Sequence, residues 1–174
     1  STGRPGPVLV DITKDAQFGK MDFYYEKCSS VRSYVPHPKT DFALLEKAVE
    51  LINQAERPYL LIGQGILLSE AENELLAFVE KSGIPVASTL LGLGAFPADH
   101  PKYVGYLGMH GNYAPNILTN ECDVLIAIGM RFDDRVTGDV SRYAKQATII
   151  HIDIDKAELN KIVKTDLAIH ADAK

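Results

Sequence analysis

Cysteine is scarce in this chain: Cys28 and Cys122 are the only two in 174 residues, far apart and without a C-x-x-C spacing. Such a pair suggests neither a zinc site nor a disulfide framework, and a reducing cytoplasm is the expected compartment. Apolar runs are short, none approaching the roughly 18 residues of a membrane span. The opening Ser1-Thr2-Gly3-Arg4-Pro5-Gly6-Pro7 lacks the charged start and apolar middle of a signal peptide. A soluble protein is expected. Positive charge is sparse and scattered, 18 Lys and Arg against 23 Asp and Glu for a net charge of −5. Neither nucleic acid nor a membrane is therefore an expected partner. There is no H-E-x-x-H, no defensible Ser-His-Asp or Cys-His order and no paired carboxylate with a clear cleft, so no catalytic residue and no metal ligand is assigned.

What is present is ordinary globular usage, 46% hydrophobic and 24% charged. A chain of this length buries roughly 70% of its unfolded surface, which suffices for one domain over 1–174. Apolar runs predict buried strands over 7–12, 59–62, 84–87, 123–128, 147–154 and 167–172. The first and last lie close to the two ends, as if the chain were cut from something longer. A long connector is expected over 13–39, holding Phe23, Tyr24, Tyr25 and the Pro36-His37-Pro38 breaker.

Helical spacing of Leu44, Leu45, Ala48, Val49, Leu51, Ile52 and Ala55 predicts a helix capped at Thr40 or Asp41 and ended before Pro58. Ser69-Glu70-Ala71-Glu72 reads as a capping box for a second helix through Lys81, closed by Gly83. A third helix is expected over 113–120 and a short one over 156–163, with a polar connector before Gly105. Strand and helix alternate throughout. Fully apolar strands suit a parallel sheet covered on both faces. The prediction is a three-layer α/β/α, doubly wound, Rossmann-like fold with about six mainly parallel strands.

In such sheets ligands sit beyond the carboxyl ends of the strands, near the point where strand order reverses. Gly63-Gln64-Gly65 can turn tightly and bring backbone to a phosphate, or can simply be a tight turn; Leu68 stands where a dinucleotide fingerprint needs its third glycine. Arg131-Phe132-Asp133-Asp134-Arg135 follows the most apolar strand. Its arginines suit phosphate or carboxylate oxygens and its aspartates ribose hydroxyls, the alternative being a self-satisfied salt-bridge loop. His151, Asp153 and Asp155 alternate along one strand, a pattern open to a metal or to a ribose contact. His110, after a flexible glycine, reads as a loop histidine or a functional group.

Five segments in order carry a resemblance over the whole chain: Gly3-Arg4-Pro5-Gly6-Pro7-Val8-Leu9-Val10-Asp11; Ile84-Pro85-Val86-Ala87-Ser88-Thr89-Leu90 with Gly92-Leu93-Gly94; Leu107-Gly108-Met109-His110-Gly111; Arg131 through Gly138; and His151-Ile152-Asp153-Ile154-Asp155. They resemble the central domain of the large, catalytic subunit of the acetolactate synthase (acetohydroxyacid synthase) family. That family condenses two pyruvates, or pyruvate and 2-ketobutyrate, with loss of CO2 in branched-chain amino acid biosynthesis. It uses thiamine diphosphate and Mg²⁺, and many members hold FAD in this domain without needing its redox cycle.

The resemblance implies that Arg4 contacts the flavin nucleotide and that Gly63 and Gly65 let backbone approach it. Thr89, Leu90, Leu107, Gly108, Met109 and His110 would line the flavin. Gly129, Arg131, Asp133, Arg135 and Val136 would hold the ribityl-diphosphate region, Asp153 and Ile154 the adenosine side, and Asp172 and Ala173 the last contacts. Lys14 and Asp134 match positions near the family's herbicide channel. Gln64 departs from a triple glycine frequent in the family.

The family's thiamine-activating glutamate and its Gly-Asp-Gly…Asn motif belong to flanking domains and do not occur here; Gly138-Asp139-Val140 is not that motif. The chain alone is expected to be inactive and to bind FAD weakly. Expected partners are its own flanking domains, a homodimer or homotetramer and a small regulatory subunit. The expected location is bacterial cytoplasm, with an organelle as the alternative because a preceding segment is expected. A stand-alone nucleotide- or FAD-binding module, or the same domain of glyoxylate carboligase or pyruvate oxidase, is the competing reading.

Overall fold

The structure is a computed structural model and describes residues 2–29, 31 and 34–174. It divides into two compact units, 1–36 and 37–174. The first carries one short helix, α1 (Lys14–Phe18). The expected strand over 7–12 is absent, and Val8 and Leu9 stand 87% and 92% exposed. Apolar, β-branched residues make a strand only where a neighbouring ladder takes their N–H and C=O groups, and no ladder includes this run. Positions 30, 32 and 33 of the expected connector lie outside the described residues.

The second unit alternates as the hydrophobic pattern requires. Helix α2 (Phe42–Gln54) starts where the Asp41 side chain accepts the Ala43 N–H at 3.0 Å. Then come β1 (Pro58–Ile62), α3 (Gln64–Leu68), α4 (Glu72–Ser82), β2 (Val86–Ser88), a 3₁₀ turn (Leu90–Gly92), β3 (Tyr103–Tyr106) and α5 (Tyr113–Glu121). β4 (Val124–Ile128), α6 (Asp134–Thr137), β5 (Thr148–Asp153) and β6 (Leu167–His170) complete it. All six strands are parallel, in the order β3-β2-β1-β4-β5-β6.

Alternation along each strand sends side chains to two cores. Leu60, Ile62, Ile126, Ile150 and Ile169 pack with α2, α3 and α4 on one face. Tyr59, Leu61, Leu125, Met130, Phe132 and Tyr143 pack on the other, with Leu118 of α5 against them. Tyr59 ties α5 to that face by donating its hydroxyl to the Pro115 carbonyl at 3.1 Å. Each wholly buried leucine or isoleucine contributes roughly 1.5–3 kcal/mol. The three-layer, doubly wound architecture is the one expected.

Three local expectations fail, each for a physical reason, and one helix was not expected. The polar connector expected before Gly105 is turn and loop over 95–102, but its last residues enter the edge strand β3, whose half-buried Tyr-Val-Gly-Tyr run lacks the apolar continuity of a central strand. The capping box does not form, because α3 occupies the preceding residues and Ser69 is its C-cap, its N–H bonding Gly65 O at 3.0 Å. Ala71 caps α4 without a side-chain bond.

The short helix over 156–163 is replaced by turns. Asp155 Oδ1 accepts the Ala157 N–H and Asn160 Oδ1 accepts the Thr165 N–H, local bonds that compete with a helical ladder. Finally, the charged run after β4 contains a helix, α6, that its composition concealed.

Candidate functional site at the carboxyl rim of the sheet

Strand order reverses between β1 and β4, since β2 and β3 extend the sheet to one side of β1 and β4 to the other. The crevice expected for a ligand therefore opens beyond Ile62 and Ile128. Three glycines fill its floor. A Cβ on Gly63 would lie 2.3 Å from Gly129 O, and one on Gly65 would lie 2.5 Å from Gly129 Cα. The Gly65 N–H bonds Gly129 O at 2.8 Å, and the Gly63 N–H bonds Ile128 O at 3.0 Å. Glycine at 63 and 65 is thus demanded by the approach of two backbones, and those two N–H groups are spent inside the protein. The exposed Gln64 lies between them.

Thr89 joins this floor from β2, its N–H bonding Ile62 O at 2.9 Å, while Leu90 next to it is 67% exposed. Beyond β3, Leu107 is buried, Gly108 takes φ +107° and Met109 and His110 are exposed. A Cβ on Gly108 would strike Arg135 O at 2.6 Å, and the Met109 N–H bonds that same oxygen at 2.7 Å. The segment after β4 therefore reaches back across the rim to the end of β3, uniting two groups of expected site residues. His110 contributes its carbonyl, which accepts the Tyr106 hydroxyl.

The arginine run is built around Asp133. Its Oδ1 accepts the Val136 N–H at 3.2 Å and caps α6, while its Oδ2 lies 3.3 Å from Arg131 Nε. Phe132 is buried and Val136 half-buried. Arg135 and Asp134 pair loosely at 3.6 Å, both side chains mostly in solvent. Exposed pairs of this kind are worth about 0–1 kcal/mol, so both guanidinium groups keep most of their capacity to bind an anion.

Beneath this loop His151 is fully buried, its Nε2–H donating to Met130 O at 2.8 Å and its ring edge-on to Phe132 at 5.0 Å. That bond fixes the tautomer and leaves Nδ1 as an acceptor. Burial pushes the imidazole below its ordinary range, the bond to the Met130 carbonyl opposing it. His151 Nδ1 and Tyr143 OH are the buried side-chain polar atoms without a hydrogen-bond partner among the described residues. Burial likewise pushes the Cys122 thiol up to about 11.

Asp153, on the His151 side of β5, accepts the Asp155 N–H at 2.7 Å, while Asp155 turns to the Ala157 N–H. Among the described residues no three His, Cys, Asp or Glu side chains converge as a metal site would require. Asp153 O accepts the Ala171 N–H at 3.2 Å, which places Asp172 and Ala173 beside Ile154 at the β6 end of the rim. Arg4 and Lys14 belong to the unit 1–36, where both are exposed and Lys14 opens α1.

Sequence reasoning passed over Asn112 and Asn116. Asn112 Oδ1 accepts the Tyr106 N–H at 3.2 Å, and the Asn116 amide grips Gly108 on both sides. The available signal was two asparagines four residues apart, immediately after a glycine-bounded loop.

No described helix is long and apolar enough to cross a membrane. Residues 45–174 match the family described as thiamine pyrophosphate enzyme, central domain. The probable acetolactate synthase large subunit of Methanocaldococcus jannaschii is 48% identical over 177 residues, covering 100% of this chain and 30% of that protein. The acetolactate synthase large subunit of Corynebacterium glutamicum is 47% identical over 173 residues, 99% of this chain and 28% of that protein. Acetolactate synthase 1, chloroplastic, of Zea mays is 44% identical over 178 residues, 100% of this chain and 27% of that protein. The chain thus spans about 30% of the length of the relatives it matches. With its all-parallel, doubly wound sheet and this match over 45–174, the chain belongs to the thiamine pyrophosphate enzyme central-domain family.

Proposed function

We propose that this chain is the central domain of an acetolactate synthase large subunit and that its carboxyl rim holds FAD. The observation that carries the reading is the bond from the Met109 N–H to Arg135 O. It sets an exposed apolar side chain and an exposed guanidinium on one edge, as a ligand with an apolar ring and an anionic diphosphate requires. Leu90 and Met109, 67% and 60% exposed, supply apolar surface for the ring. Arg131 and Arg135 supply forked donors for the diphosphate, and Asp153 at the end of β5 supplies an acceptor for a ribose hydroxyl. Arg4, Asp172 and Ala173 are assigned to the same cofactor by the family resemblance.

The reaction joins two 2-keto acids with loss of CO2. Two pyruvates give acetolactate and CO2 with no net exchange of electrons, so a flavin held here supplies no redox equivalents to the overall reaction. Thiamine diphosphate and Mg²⁺ are assigned to domains flanking this one, where the activating glutamate and the diphosphate motif of the family reside. A small regulatory subunit, a homo-oligomer and a location in bacterial cytoplasm or an organelle belong to the same proposal. The large-subunit names of the relatives support the first, and the Zea mays relative, named chloroplastic, marks one organelle.

The test is pyruvate consumption by the full-length polypeptide carrying this chain, assayed with thiamine diphosphate, Mg²⁺ and FAD. Acetolactate and CO2 in equal amounts support the proposal. In parallel assays supplied with phosphate and O2, or with glyoxylate, conversion of pyruvate to acetyl phosphate and CO2 with reduction of O2 to H2O2, or of two glyoxylates to tartronate semialdehyde and CO2, in its place would assign the domain to a different thiamine enzyme.

A further inference from the structure

Met109 and Arg135 meet only because Gly108 is held in a conformation that L side chains rarely adopt, φ +107°. The grip comes from α5. Asn116 Oδ1 accepts the Gly108 N–H at 3.0 Å, while Asn116 Nδ2 donates to Gly108 O and to Asn112 O, each at 3.1 Å. One half-buried amide thereby fixes both polar groups of one residue and ties them to the first turn of a helix. Around it the loop is closed by the Gly111 N–H to Gly108 O at 2.9 Å and the Asn112 N–H to Tyr106 O at 2.8 Å. Gly111 cannot give way, since a Cβ there would lie 2.5 Å from Leu107 C. The next peptide N–H, that of Met109, is then aimed at Arg135 O. Asn116 itself lies behind the loop, whereas Met109 and His110 are exposed.

We propose that Asn116 is a positioning residue for the FAD rim: its side chain orients the Gly108–Met109 peptide and, through the Met109 N–H, the Arg135 backbone, without touching the cofactor. The inference rests on the FAD reading above. Preorganised donors and apolar walls bind more tightly than ones ordered during binding, because the ordering cost is met in advance. Asn116→Ala removes all three bonds. Asn116→Gln keeps the acceptor and the donors but sets them one methylene farther out, so its effect falls between Ala and the parent.

The experiment uses the full-length polypeptide and two readouts. Amide hydrogen exchange without FAD is followed at Gly108 and Met109, with β4 amides reporting whether the fold is intact. FAD affinity is measured by quenching of flavin fluorescence, together with the visible spectrum of the bound flavin. Asn116→Ala is expected to speed exchange at Gly108 and Met109 at least tenfold with β4 unchanged, to weaken FAD at least tenfold and to broaden the bound-flavin bands. Asn116→Gln is expected to lie between, and it carries the comparison where the Ala variant loses β4 protection. A parent that binds FAD and variants that bind it within twofold, or unchanged exchange at Met109, overturn this inference alone. A parent that binds no FAD overturns the FAD reading and this inference with it.

Discussion

Replacing Gly65 by alanine tests whether the floor of the crevice is fixed by backbone packing. The new Cβ would lie 2.5 Å from Gly129 Cα, 3.0 Å from Gly129 O and 3.1 Å from Gly129 C. Carbon atoms in good contact sit about 3.5–4.0 Å apart, so β1 and β4 must part by about 1 Å where they exit the sheet. Overpacking of this kind costs about 1–3 kcal/mol. Lengthening the Gly65 N–H bond to Gly129 O, now 2.8 Å, adds roughly 0.5–1.5 kcal/mol. Against this, alanine is favoured over glycine inside a helix by about 1 kcal/mol, and Gly65 lies within α3.

The net is a loss of about 1–3 kcal/mol by these terms, with a lower midpoint in urea and an unchanged m-value. Gly6→Ala is the control: its Cβ meets nothing within 4 Å, and it should stay within about 0.5 kcal/mol of the parent. A Gly65→Ala chain as stable as the parent, or more so, would mean that helix propensity outweighs the clash and that the glycines are not held by one another.

Asp133→Ala should cost about 0.5–2 kcal/mol by removing the cap of α6, and Asp133→Asn should cost less; urea midpoints give both values. His151 carries a lowered folded pKa through burial. The unfolded chain therefore binds the extra proton first, and stability should fall as pH drops below the imidazole's unfolded value of about 6.5. Melting temperatures from pH 7.5 to 5 should show that fall, and His151→Gln should flatten it. Arg131→Ala and Arg135→Ala should each weaken FAD about 10–100-fold, the loss of one charge-assisted contact. Lysine should restore only part of that, as titration of the full-length polypeptide with FAD at low and high salt would show.

The central strands were legible because burial on both faces leaves no room for polar residues: 124–128 and 148–153 read as strands from composition alone. The edge strand β3 was not, since exposure on one side admits two tyrosines and a glycine at φ +105°. Residues 7–12 show the converse. Their β propensity is genuine, but propensity names no partner, and pairing is decided by the rest of the fold.

At the site, the arginine run was visible as charge directly after a buried strand. Its organisation was not, because Asp133 reads as one more charge until α6 reveals it as a cap. Asn116 was invisible for a similar reason. An asparagine in a helix says nothing until the chain folds Gly108 against it.

FAD at the rim between β1 and β4, closed by Met109 on Arg135, is the proposal on which the other site assignments depend. Its most direct test is the flavin content of the full-length polypeptide after FAD loading and gel filtration. One FAD per chain, with the loss of this FAD in the Arg131→Ala, Arg135→Ala double variant and β4 amide protection retained, is the predicted result. A polypeptide that forms acetolactate while binding no flavin saturably, or a double variant that holds FAD as firmly as its parent, would contradict it.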